Sequence, residues 1–221
     1  EIASCLVGSE MCIRDRMNTH EILKVLQEDI HTVIIATTDQ KGYPYTCAID
    51  MMLLEDELLY FLTARGKAFY NRLMKQSHIA LTGLKGEDTM SSVAISLQGT
   101  VKNIGHERLD EIFEKNPYMK EIYPDEISRE VLEVFQIDKC QGEYFDLSQK
   151  PIYRQSFVVN ESLKKSGYYV GEGCIGCKMC YRVCPQKCID ISSKPVVILQ
   201  DHCLHCGKCQ EVCPKQVISR Y

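Results

Sequence analysis

The last fifty or so residues constrain this chain most, because they write one unit twice. The run Cys174-Ile-Gly-Cys177-Lys-Met-Cys180-Tyr-Arg-Val-Cys184-Pro185 is matched by Cys203-Leu-His-Cys206-Gly-Lys-Cys209-Gln-Glu-Val-Cys213-Pro214 at a constant offset of 29 residues, which also superposes Ile189 on Ile218. Both runs read C-x2-C-x2-C-x3-C-P. A half-unit this small cannot own a hydrophobic core, so something must staple it. Disulfides would call for an oxidising compartment and a removable leader, and neither is indicated. Structural zinc pairs its ligands across a longer loop, which these triple runs do not offer.

Three thiolates at this spacing on a curled loop can cap three irons of a cubane while loop N–H groups point at the sulfurs, and the fourth ligand then comes from elsewhere. Residues 168 to 221 resemble the bacterial 2[4Fe–4S] ferredoxin family. In that arrangement the fourth cysteine of each run serves the other cluster. The resemblance therefore implies one cluster on Cys174, Cys177, Cys180 and Cys213, and a second on Cys203, Cys206, Cys209 and Cys184. Cys188 tempts as a ninth ligand, but the repeat puts Val217 in its place, so a buried apolar position is expected. His205 is expected to be a loop residue that tunes one cluster rather than a ligand.

At the other end, Leu6 to Asp15 back-translate in one frame to a sequence resembling a transposase-type library adapter. Residues 1–16 are accordingly read as a translated artefact, with Met17 as the natural start and Cys5 and Cys12 outside the cysteine argument. Of thirteen cysteines, that leaves only Cys47, Cys140 and Cys188 beyond the runs, which suits a reducing cytoplasm. A net charge of −4 gives no footprint for nucleic acid, and no apolar run has the length of a membrane span.

From Met17 the pattern is one helix followed mostly by strands. Asn18 with Glu21 makes a capping box, and Ile22, Val25, Leu26 and Ile30 recur at helical spacing, so a helix is expected over 19–29. Strands are expected over 32–38, 43–53, 57–63, 78–84, 92–104, 135–147 and 152–159, with helices over 67–76, 105–115 and 126–134. So many strands with few helices suggest a barrel.

The order helix, strand, Gly-x-Pro turn, strand, strand, then Thr63-Ala-Arg-Gly-Lys67 resembles the pyridoxamine 5'-phosphate oxidase-like FMN-binding split barrels over residues 17 to 147. The expected fold is a mainly β split barrel with flanking helices, followed by a C-terminal α+β ferredoxin-like two-cluster domain. The domain plan is 1–16 artefact, 17–150 barrel, 151–167 connecting strand and linker, and 168–221 cluster domain. The resemblance implies a homodimer holding FMN at its interface. Cys47, Ala48, Ile49 and Asp50 would run beside the flavin ring, with Ser92 on a further strand. Leu62 and Thr63 would lie under the ribityl chain, and Arg65 and Lys67 would hold the phosphate at a helix start. Two departures stand out. Cys47 and Met52 occupy strand positions where oxidases of the family carry basic residues, and Ser92, Val93 and Ala94 stand where Gln or Arg is common. Pyridoxamine phosphate is therefore not the expected substrate, and relatives of this kind also use a deazaflavin or bind haem.

The Gly83 to Thr89 loop lacks the context of a nucleotide cradle, and His20, His31, His78 and His106 lack ligand spacing. Together the two resemblances imply a cytoplasmic oxidoreductase that passes electrons between clusters and FMN, exchanging them with a small-molecule or protein partner. The competing class is a non-catalytic electron carrier or redox sensor.

Overall fold

The computed structural model describes residues 16–221. The adapter reading falls on residues outside that range, apart from Arg16, whose guanidinium meets Asp201 at 2.6 Å. The chain opens with α1 (Thr19–Lys24), where Asn18 and Glu21 cap each other reciprocally, and continues as a wider π-turn over Val25–Ile30. Ile22, Leu23 and Leu26 are buried from this element.

Strands β1 (Thr32–Thr38), β2 (Pro44–Asp50), β3 (Leu53–Glu55) and β4 (Leu58–Ala64) lead to helix α2 (Ala68–Lys75). After β5 (His78–Lys85) and β6 (Val93–Gly105) come three short helices, α3 (Leu109–Lys115), α4 (Met119–Ile122) and α5 (Glu126–Arg129). Strands β7 (Leu132–Asp146) and β8 (Tyr153–Val159) complete one antiparallel sheet, in the order β2-β1-β5-β6-β7-β4-β3, with β8 also on β7. The first half of β7 pairs with β4 and the second half with β8. The sheet curls until β2 touches β4, giving a half-barrel.

Why these residues do this is clear strand by strand. Val33, Ile35, Leu81, Ile95 and Leu97 alternate with exposed positions and fill the concave side, where α1 and α2 close over them. Strand β4 reads Leu-Leu-Tyr-Phe-Leu-Thr-Ala without alternation because both its faces are covered. Leu59 and Phe61 enter the inner core, where Phe61 stacks on Phe135 at 5.6 Å, while Tyr60 and Leu62 pack outward with Ile112, Phe113 and Met119.

Three sequence expectations change. The helix expected over 126–134 stops at Arg129, because Leu132 pairs with Ala64 on β4 and Val134 is held between β4 and β6 as β7 begins. The strand expected over 43–53 breaks at Met51 and Met52, whose N–H groups turn to His31 and Tyr60 carbonyls. The helix expected from 105 begins at Leu109.

The cluster domain is closed by its own ends, since β9 (Tyr168–Val170) pairs with β12 (Ile218–Arg220). Between them lie α6 (Met179–Val183), the β10–β11 pair (Ile189–Asp190 with Val197–Ile198) and α7 (Lys208–Glu211). The duplication seen in sequence is also a duplication of backbone. Positive φ recurs at Gly176 and His205, at Lys178 and Gly207, and at Lys187 and Gln216, each pair 29 residues apart. Among the described residues no helix is long and apolar enough to cross a membrane.

Candidate functional site

Two cavities lie in the cluster domain. The first is lined by Cys174, Cys177, Cys180 and Cys213, with Pro214 and Ile218 beside them. The second is lined by Cys184, Cys203, Cys206 and Cys209, with Pro185 and Ile198. Each therefore takes three cysteines from one run and the fourth from the other. The left-handed residues at the start of α6 and α7 turn each loop back on itself, which lets its cysteines face one space. Among the described residues no three His, Cys, Asp or Glu side chains converge as ligands of one metal ion would. The cysteines ring a cavity instead, and such a ring suits a group of several atoms.

Cys188 is buried and sits at the edge of the second cavity, its sulfur 3.6 Å from that of Cys184. Hydrogen bonding to Cys203, burial and the neighbouring Cys184 sulfur all keep its proton in place. The same contact favours the Cys203 thiolate, with further help from the His205 N–H and the Arg154 charge.

In the barrel, the residues expected at a flavin phosphate gather where β4 ends and α2 begins. Thr63 is buried, and its hydroxyl has no hydrogen-bond partner. Lys67 is the capping residue of α2 but offers no side-chain cap, so the helix start presents open N–H groups. Cys47 on β2 faces this corner. Burial pushes its thiol pKa up, and the Arg72 and Lys67 charges pull it down. An orphaned hydroxyl, an uncapped helix start and converging cations fit a phosphate dianion.

The remaining sequence candidates fall into four groups. Arg65 leans on Glu133 at 3.6 Å, and Glu133 is itself held by Tyr70 at 2.7 Å and Asn103 at 2.5 Å, so much of its charge is spent. The Leu62 side chain is buried in the outer core, leaving its main chain as the available contact. Ala48 and Ile49 continue β2, and Asp50 ends it in a polar knot: its carboxylate accepts from Thr32 at 2.6 Å and from Tyr118 at 3.0 Å, with His31 3.7 Å away. Ser92 is not brought to this corner. Its hydroxyl donates to Thr89 O, and β1 and β5 separate its strand from β2.

Sequence reading missed Arg72. It stacks 4.7 Å above the Tyr45 ring and donates to the Thr37 hydroxyl at 2.8 Å, and with Lys75, Tyr43 and Asn71 it lines an open depression. The available signal was a second cation within the same helix, five residues after Lys67.

Comparison with protein-family models matches a pyridoxamine 5'-phosphate oxidase model to residues 19–141 and a 4Fe-4S dicluster domain to residues 173–217. Comparison with curated proteins gives no match. Among solved structures, a NimC/NimA family protein from Clostridium acetobutylicum is similar at 17% identity and a TM-score of 0.54, covering 64% of this chain and 92% of that one. A pyridoxamine 5'-phosphate oxidase-related, FMN binding protein from Nostoc punctiforme is similar at 12% identity and a TM-score of 0.43, covering 61% and 89%. A heme binding protein from Mycobacterium smegmatis gives 12% and 0.48, covering 64% and 58%. The oxidase model spans more than half of the sequence and coincides with the half-barrel, so the chain belongs to the pyridoxamine 5'-phosphate oxidase family and carries a 4Fe-4S dicluster domain behind its barrel.

Proposed function

We propose that the protein is a cytoplasmic flavin- and iron–sulfur-dependent oxidoreductase, in which two [4Fe–4S] clusters exchange electrons with FMN held in the barrel, and through it with a small molecule. The observation that carries this reading is the pair of cysteine-lined cavities, each drawing its fourth cysteine from the other run. When bound, the clusters would supply single electrons and the flavin a two-electron store.

The chain's own residues then have defined tasks. Cys174, Cys177, Cys180 and Cys213 hold one cluster, and Cys203, Cys206, Cys209 and Cys184 the other. Lys67 and the start of α2 bind the phosphate, Thr63 offers its unpartnered hydroxyl, and β2 lays main-chain groups beside the ring from Cys47 to Asp50. Tying both domains into one chain keeps donor and acceptor at high effective concentration.

Homodimerisation belongs to the same reading. The convex face of the sheet carries cross-strand rows Ala48–Ile34–Thr82–Ser96 and Thr46–Ala36–Ala80–Gln98, uncharged as far as β6 and small apart from Gln98 and Ile34, the latter 50% exposed, with Glu143 on β7 beyond Ser96. An uncharged face of this kind suits a second copy of itself.

Anaerobic purification followed by iron, sulfide and flavin analysis tests the cofactors. Stopped-flow mixing of the reduced protein with small organic acceptors then tests the activity. Rapid exchange with a protein partner and turnover of no small acceptor would favour a relay instead.

A further inference from the structure

The two cavities differ in how they meet the barrel. Residue 152 and β8 form the contact. The Ile152 N–H donates to Gln186 Oε1 at 3.2 Å, and His202 Nδ1 donates to the Ile152 carbonyl at 2.8 Å. Arg154 Nη1 donates both to Glu143 Oε2 at 2.9 Å and to His205 Nδ1 at 2.8 Å. Gln186, His202 and His205 all flank cysteines of the second cavity. Gly167, at φ +117°, lets the linker enter tightly here, since a Cβ at that position would collide with Gln200 and His205.

Among these contacts Arg154 supplies the fixed cation, paired with the Glu143 carboxylate. Its side chain is 15% exposed, and its guanidinium lies 4.8 Å over the Phe145 ring. The His205 N–H completes the connection by donating to Cys203 Sγ at 3.4 Å. A hydrogen-bonded chain thus runs from Glu143 on β7 through Arg154 and His205 to a cysteine of the second cavity. The duplication makes the contrast internal to the protein, because the residue corresponding to His205 is Gly176, which has no side chain to receive such a cation. The first cavity's own cations, Lys178 and Lys215, are both exposed, where water and salt screen them.

We infer that Arg154 is a positioning residue that raises the potential of the cluster in the second cavity above that in the first, and so makes the second cluster the one that exchanges electrons with the barrel. Adding an electron makes a cluster one unit more negative, and a partly desolvated cation nearby stabilises that form. Electrons from a low-potential one-electron donor enter at the first cavity. The first cluster gives up one electron and the second gains it, with no bond or proton exchanged. Glu143 moderates the effect, since its carboxylate partly offsets the guanidinium.

This rests on the two-cluster reading, and the test separates the two. The whole chain is purified anaerobically, its iron and sulfide are measured, and both clusters are titrated by electron paramagnetic resonance in wild type, Arg154→Gln, Arg154→Lys and Glu143→Gln. In Arg154→Gln the oxidised-to-reduced ratio of one cluster at fixed potential should rise about three- to tenfold, a fall of about 30 to 60 mV for a one-electron couple. Arg154→Lys should restore most of it, and Glu143→Gln should move the same cluster the opposite way. That cluster should be the one lost in Cys184→Ser. Iron-free wild-type protein would overturn the cluster reading itself. Full iron with no shift, with equal shifts in both clusters, or with a shift in the cluster that survives Cys184→Ser would overturn the role of Arg154 alone.

Discussion

Removing Lys67 separates the phosphate seat from the barrel that carries it. A hydrogen bond to a charged group contributes about 1.5 to 3 kcal/mol when well shielded. Lys67 is exposed at the rim, so Lys67→Ala should weaken FMN binding by about 1 to 2 kcal/mol, roughly five- to thirtyfold. Arg65 predicts a smaller effect, because Glu133 already holds its guanidinium at 3.6 Å and would keep most of its charge from the ligand. Arg65→Ala should cost less than about 1 kcal/mol. Thr63→Val keeps the shape of a buried side chain whose hydroxyl has no partner in the protein, so it should leave folding stability near wild type while weakening FMN by about 0.5 to 1.5 kcal/mol. Binding is measured by quenching of flavin fluorescence, with riboflavin as the control that lacks a phosphate. The order Lys67→Ala, then Arg65→Ala, for FMN alone supports the seat described here. Equal weakening of FMN and riboflavin, or a larger loss for Arg65→Ala, would refute the reasoning.

Three further outcomes follow from particular contacts. Cys184→Ser should lose the cluster of the 203–209 run and keep that of its own run, whereas Cys188→Val should retain about wild-type iron, as the matching Val217 implies; loss of the 174–180 cluster in Cys184→Ser would contradict the crossed linings. Thr82→Arg, in the middle of the uncharged convex face, should convert a dimer to monomers by light scattering, and an unchanged dimer would move the interface elsewhere. Tyr118 titrates late, its pKa pushed up to about 12 by burial and by Asp50, so the stability it contributes is complete below pH 10 and is lost as pH rises towards 12. Tyr118→Phe should flatten that alkaline decline in urea unfolding, and parallel profiles for the two proteins would show that the phenol is not responsible.

What could be read from sequence was what is settled within a few residues. The Asn18–Glu21 box and the bounds of β1 are local, and the cysteine runs carry their own turn chemistry, which is why the positive-φ positions repeat with them. The helix expected over 126–134 went wrong where Leu132 and Val134 found partners on β4 and β6, a choice made by residues far along the chain. Arg72 and Arg154 were illegible for the same reason. Each looks like an ordinary surface cation until Tyr45 and Thr37, or Glu143 and His205, are folded against it.

The crossed linings also bear on how such a chain is made. Synthesis from the N-terminus delivers the whole first run before its cavity has a fourth wall, because Cys213 is the last cysteine of the second run. The second cavity, by contrast, has Cys184 waiting and needs only Cys209 to be ringed. The barrel can thus be finished on the ribosome while both metal sites stay open until the closing residues emerge, and the later run is ringed first. Cluster insertion would then follow the synthesis of both runs, with the barrel-facing site ready before the outer one.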